Sequence, residues 1–152
     1  MKQTTLRIGG ILLGLYLAWA IALGYYSTHK VIWSAQSRDF LDIAVVPILN
    51  DPSLPAFRAL ASPRWQKALN QNGKPLVQTI VALGPLRAFR VRGGPSLAWF
   101  HHFTVAAHYR LRAQFHKGIA VFHVTLKKHR ASWHITQLTI SIKPDHSSPQ
   151  GT

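Results

Sequence analysis

Two alternating runs joined by a turn constrain this chain more than any other feature. In FTVAAHYRLRAQFHKGIAVFHVTL, residues 103–126, the apolar set is Phe103, Val105, Ala107, Tyr109, Leu111, Ala113 and Phe115. It interleaves with Thr104, His108, Arg110, Arg112 and Gln114. A side-chain period of two belongs to a strand with one face buried. Lys117-Gly118 supplies a turn, after which Ala120, Phe122, Val124 and Leu126 continue the apolar set. Such a turn predicts pairing of Phe115 with Ala120, Ala113 with Phe122 and Leu111 with Val124, so both apolar sets share one face. On the other face Arg112 would oppose His123, Arg110 would oppose Thr125, and His108 would oppose Lys127.

The flanks extend this pattern. Ala88 to Arg92 reads as a strand ended by Gly93-Gly94-Pro95, and Leu97 to Phe115 as one long strand bent near His101-His102. The last strand, WHITQLTISI at 133–142, changes parity between Ile135 and Leu138. A bulge near Thr136-Gln137 would return both halves to one face. Before residue 86 the period is helical. From Trp33, residues Phe40, Leu41, Ala44, Val45, Ile48 and Leu49 follow helical spacing until Pro47 bends or ends the segment. Asp51 or Ser53 can cap a short helix containing Phe57 and Leu60. Ser62-Pro63 opens another with Trp65 and Leu69. Asn72-Gly73 reads as a turn, and a final helix runs from Lys74-Pro75 to Gly84-Pro85. Helices followed by an antiparallel meander whose apolar face they cover make an α+β layered domain.

Ahead of this domain, Ile8 to Tyr26 (IGGILLGLYLAWAIALGYY) carries no charge. As a helix it would reach roughly 28 Å, close to the thickness of a bilayer's hydrocarbon core. The expected organisation is therefore a short tail at 1–7, a transmembrane helix at 8–26, a linker at 27–32, the α+β domain at 33–143 and a disordered tail at 144–152. Ala22-Leu23-Gly24 offers a rival signal-peptide cleavage site, although the apolar run exceeds the usual length. Lys2, Arg7 and the terminal amine favour a signal-anchor in a bacterial inner membrane with the domain in the periplasm. Gly10, Gly14, Ala18 and Ala22 form a small-residue stripe that would permit a second copy to pack closely.

The carboxy-terminal half resembles the nuclear transport factor 2-like (cystatin-like) superfamily. The resemblance lies in ALGPLRAFRV at 82–91, YRLRAQFHKGIAVFHVTL at 109–126 and WHITQLTISI at 133–142, and covers roughly residues 33–142. It implies a cone of helices over a curved sheet, a pocket between the two layers, and a domain of the kind often found behind a single membrane anchor. Enzymes of this superfamily place an Asp, Glu, His or Tyr in that pocket.

Charge narrows the function. Charged residues make up 14% of the chain, against about 25% for ordinary soluble proteins. Lys and Arg number 18 and the acids are four, all Asp (39, 42, 51 and 145), for a net charge of +14. No acid falls on a predicted strand. Asp39 and Asp42 are expected to complement the positive end of the helix starting near Trp33, and Tyr109 is the inward-facing polar strand group. A pocket enzyme is thus the least favoured reading, and no cofactor is expected. The nine histidines lack metal-site spacing, although cross-strand pairing could bring His123 near His134, and no cysteine supports them. In mild acid they would add positive charge. His108, Arg110, Arg112, His123 and Lys127 define a basic sheet face, with Trp99 and Phe100 as adjacent aromatics. The face suits an anionic lipid surface, a cell-wall polyanion or an acidic protein. Nucleic acid is disfavoured, because no base-stacking aromatics interleave with the bases. The resulting expectation is a membrane-anchored, non-catalytic interaction or assembly module. The alternative is a small-ligand domain using the cavity between sheet and helices.

Overall fold

The computed structural model describes residues 2–98 and 104–143, with side chains over 14–96 and 104–142. Trp99, Phe100, His101, His102 and the tail at 144–152 lie outside these residues. The chain divides into two compact units, residues 1–33 and 34–152.

The first unit is helical, formed by α1 (Lys2–Phe40) as far as Trp33. Leu15, Leu17, Trp19, Ile21 and Leu23 are exposed, Ile21 by 71%. Gly14, Ala18 and Ala22 of the small-residue stripe are exposed too; Gly10 is in α1 but outside the described side chains. Tyr25 stacks on His29 with ring centroids 3.9 Å apart, and Trp33 meets Tyr26 and His29 edge-on. The expected linker at 27–32 is helix. It contains no Gly or Pro to stop one, and the Ser27 and Thr28 hydroxyls donate back to the Gly24 carbonyl at 3.0 and 2.9 Å. Among the described residues no helix is long and apolar enough to cross a membrane. The expected transmembrane span is unsupported to that extent, and residues 8–13 of its run have no described side chains.

The second unit is α+β. Ser37, Leu41, Val45 and Leu49 repeat every four residues and are buried. Between α1 and α2 (Val46–Asn50) the helix widens into a π turn, Leu41–Val45, in which the Val46 N–H donates to the Leu41 carbonyl. The widened turn admits Pro47 into the first turn of α2, where its missing N–H costs little. Asp39 and Asp42 therefore lie near the end of a long helix and not at its start. Asp42 instead pairs with Arg38 at 3.3 Å on the surface.

Ser53 caps α3 (Leu54–Leu60), and Ser62 caps α4 (Pro63–Leu83), each hydroxyl accepting a backbone N–H three residues on. The turn expected at Asn72-Gly73 is absent, because α4 runs through it and through Pro75. Tertiary packing overrides the local signal here. Gly73 is buried, and a Cβ on it would come within 2.4 Å of Leu54 Cδ1, so the glycine serves contact with α3. Gly84, at φ +79°, ends α4 as expected.

Four strands follow: β1 (Leu86–Ala98), β2 (Thr104–Phe115), β3 (Gly118–His129) and β4 (Ser132–Lys143). They form an antiparallel meander in the order β1-β2-β3-β4. The long strand expected from Leu97 to Phe115 is divided, with Ala98 of β1 paired to Thr104 of β2. Nor does β1 stop at Gly93-Gly94-Pro95. As an edge strand it tolerates the proline. Gly93, at φ +119°, lets the backbones close, since a Cβ would lie 2.0 Å from the His108 carbonyl oxygen. In the β2–β3 hairpin Phe115 pairs with Gly118, Ala113 with Ala120 and Leu111 with Phe122. This is two residues tighter than expected. The His116 and Lys117 N–H groups donate to the carbonyls of Pro85 and Leu83, which clamps a two-residue turn against the end of α4. The expected β4 bulge is present. Register shifts at Thr125/Leu126, and Thr136 donates to the Thr125 carbonyl at 3.1 Å.

The inner face of the sheet and the helices share one core. Phe57, Ile80, Leu111, Phe122, Leu126 and Ile135 are 0% exposed, and each such side chain stabilises the fold by about 1.5–3 kcal/mol.

Candidate anion-binding face

Alternation sends the remaining residues of each strand to the sheet's outer side. His108, Arg110, Arg112, His123 and Lys127 are all exposed there. The tighter hairpin changes their partners without changing their face, because a shift of two preserves parity. Arg110 opposes His123, His108 opposes Thr125, Arg112 opposes Val121 and Lys127 opposes Ala106. His108 Nδ1 lies 3.3 Å from Thr125 Oγ1. Val121 points outward and is still 5% exposed, as expected for a side chain among the aliphatic stems of long basic residues.

Two residues on this face were missing from the sequence-based set. Arg90 pairs with Arg112 and Arg92 with Arg110. Four arginines thus form a two-by-two array on neighbouring strands, all exposed. They ring a hollow of about 190 Å³ whose lining, among the described residues, is these four side chains. Larger hollows adjoin it on both sides, one of about 300 Å³ toward Ala88 and Gln114 and one of about 420 Å³ toward His108 and His123. The alternation Arg90-Val91-Arg92 within the strand expected at 88–92 could have flagged the missing pair, and the Gly-Gly-Pro that follows concealed its continuous pairing with β2.

No acid balances this array among the described residues. Asp39, Asp42 and Asp51 lie on or beside the first helices, and none belongs to a strand. Arginines set directly opposite one another cost a few tenths of a kcal/mol per pair. Folding therefore gains nothing from the array's charge.

The other candidate groups are accounted for by packing. Tyr109 points inward, is 3% exposed, and its hydroxyl lies 2.7 Å from Ser37 Oγ, which in turn donates to the Ser34 carbonyl. Both hydroxyls are thereby hydrogen-bonded within the core. His123 stands opposite Thr139, whereas His134 stands opposite Lys127, so the suggested His123–His134 approach does not form. His116 accepts from Arg87 through Nδ1 at 2.5 Å on the surface. Among the described residues no three His, Cys, Asp or Glu side chains converge on a metal position. Comparison of the chain with protein-family models and with curated proteins returns no match.

Proposed function

We propose that this protein is a non-catalytic interaction or assembly module, held at a membrane by the start of α1, that contacts an anionic partner through the sheet's outer face. The observation that carries the reading is the arginine array, a concentration of uncompensated charge that does not serve the fold. The exposed apolar side chains of α1 from Leu15 to Leu23, followed by the ring cluster Tyr25, Tyr26, His29 and Trp33, support attachment. Aromatic rings of this kind favour the headgroup region at the end of an apolar helix. The charge at the amino-terminal end favours an inner-membrane signal-anchor with a periplasmic domain. Helices on a meander, a glycine-ended helix and a bulged final strand support a domain of the nuclear transport factor 2-like type with a curved sheet.

Membrane fractionation with alkaline extraction tests attachment, and protease access to the intact compartment tests side. The full-length protein is expected to stay in the pellet; its release as a dissolved, uncleaved chain would defeat the anchor. Partner capture in mild detergent tests the face. Replacing Arg90, Arg92, Arg110 and Arg112 with Gln is expected to abolish capture, and capture by wild type is expected to fall as salt rises.

A second reading, a small-ligand domain, draws on a groove of about 350 Å³ between α4 and β4, where Trp65, Leu69, Leu76 and Leu138 line the wall. A small molecule retained by the purified protein, lost on Leu69→Trp and unaffected by the arginine changes, would favour it.

A further inference from the structure

We infer that Arg90, Arg92, Arg110 and Arg112 form a site for phosphate groups, taken in pairs and supplied by the phosphomonoester headgroups of an anionic lipid. This inference deepens the reading above and rests on its claim that the outer face meets an anionic partner.

The argument begins with geometry. Directly opposed residues on antiparallel strands hold their Cβ atoms about 4.5–5.5 Å apart. Successive outward residues on one strand are separated by roughly 6.6 Å. The two cross-strand pairs, Arg90 with Arg112 and Arg92 with Arg110, therefore make two parallel clamps, one strand repeat apart. A guanidinium presents a planar fork that binds oxyanions bidentately. One tetrahedral phosphate offers enough oxygens to engage both forks of a clamp, and a phosphomonoester carries about −1.5 to −2 charges near neutrality. It can neutralise an opposed pair that a single carboxylate would leave half compensated. The hollow enclosed by the four side chains leaves open space where such groups would enter.

What surrounds the array selects the source. Strand alternation directs the Phe, Tyr and Trp side chains of the described strands inward, and the exposed ring that borders the array is Phe89, 38% exposed, in the wall of the hollow toward Ala88 and Gln114. One ring at the edge gives nucleic-acid bases no row of aromatics to stack on along the basic face. A protein partner would find a single ring in place of the cluster of aromatic anchors that dominates protein interfaces. A headgroup layer needs neither, because it offers phosphate oxygens side by side and no surface to bury. Each basic residue near such a layer contributes about 1 kcal/mol even without specific geometry. The flanking His108, His123 and Lys127 would act in that general way, and the arginine clamps would add recognition of phosphate.

The test uses the full-length protein in nanodiscs of phosphatidylcholine, with or without phosphatidic acid. An arginine-specific dicarbonyl reagent labels exposed guanidiniums, and mass spectrometry reads each site. Phosphatidic acid is expected to slow labelling of Arg90, Arg92, Arg110 and Arg112 by roughly tenfold, while Arg58 and Arg64, exposed on α3 and α4, label as before. The R90K/R110K variant keeps the charge and removes one fork from each clamp. It is expected to lose most of the protection at Arg92 and Arg112.

Full protection in R90K/R110K would overturn the clamps and leave only general electrostatic contact, with the proposed function intact. Equal slowing at Arg58 and Arg64 would have the same meaning. Protection by pyrophosphate, an acidic peptide or an RNA oligonucleotide, with none from phosphatidic acid, would overturn the lipid source. Absence of protection under every condition would overturn the site together with the anionic reading of the face. A protein that does not enter neutral discs defeats the anchor alone. The same footprint with added phosphatidic acid vesicles then decides the site in either direction.

Discussion

The two faces of one sheet, built from the same strands residue by residue, have opposite characters. Inward, Leu111, Phe122, Leu126 and Ile135 are completely covered, and the buried Tyr109 hydroxyl has its hydrogen-bond partner. Outward, Arg90 faces Arg112 and Arg92 faces Arg110 with no carboxylate on any strand. The inner face is what selection for stability leaves. The outer face costs stability, so its composition points to a requirement outside the fold.

That contrast can be broken by substitution. The largest effect is expected at the inner face: Phe122→Ala should lower unfolding free energy by about 3–5 kcal/mol in a denaturant titration. Gly93→Ala comes next. A Cβ there meets the His108 carbonyl at a φ that disfavours any side chain, so a loss of more than about 1 kcal/mol is expected. Hydrogen exchange should place the damage in β1 and β2, and an undisturbed β1 would remove the reason for a glycine at that crossing. Tyr109→Phe deletes one buried hydrogen bond and should cost about 1 kcal/mol in the same titration. The smallest effect is expected outside. Converting all four arginines to Gln should leave stability unchanged or raise it by a few tenths of a kcal/mol. A marked loss there would mean that the array serves the fold after all.

The difference between faces was legible before its details. Alternation in residues 103–126 identified the hairpin and the side on which Arg110 and Arg112 lie. Parity survived a pairing error of two residues because only odd slips exchange faces. The error itself had a tertiary cause. The carbonyls of Leu83 and Pro85 hold the turn N–H groups, and nothing near Lys117 reveals those partners. The bulge in β4 was readable because Trp133 and Ile135 change parity with Leu138. Arg90 and Arg92 fall on the strand expected at 88–92, but Gly93-Gly94-Pro95 has the composition of a terminator and hid that strand's continuous pairing with β2. On an edge strand the same three residues are a permitted crossing. Asn72-Gly73 misled in the same way, since Gly73 makes room for Leu54 and does not reverse the chain.

The link between α3 and α4 has a consequence for assembly. Ser62 donates its N–H to the Ile135 carbonyl at 2.8 Å, and Ala61 bridges Ile135 in parallel. The meander can zip from hairpin to hairpin with little loop-closure entropy at each step. This latch instead joins the helical segment to the last strand of the sheet, beside its bulge. Its partners lie far apart in sequence, so its closure costs more loop entropy than any hairpin, and Ile135 is expected to form its helix contact later than the hairpins form theirs.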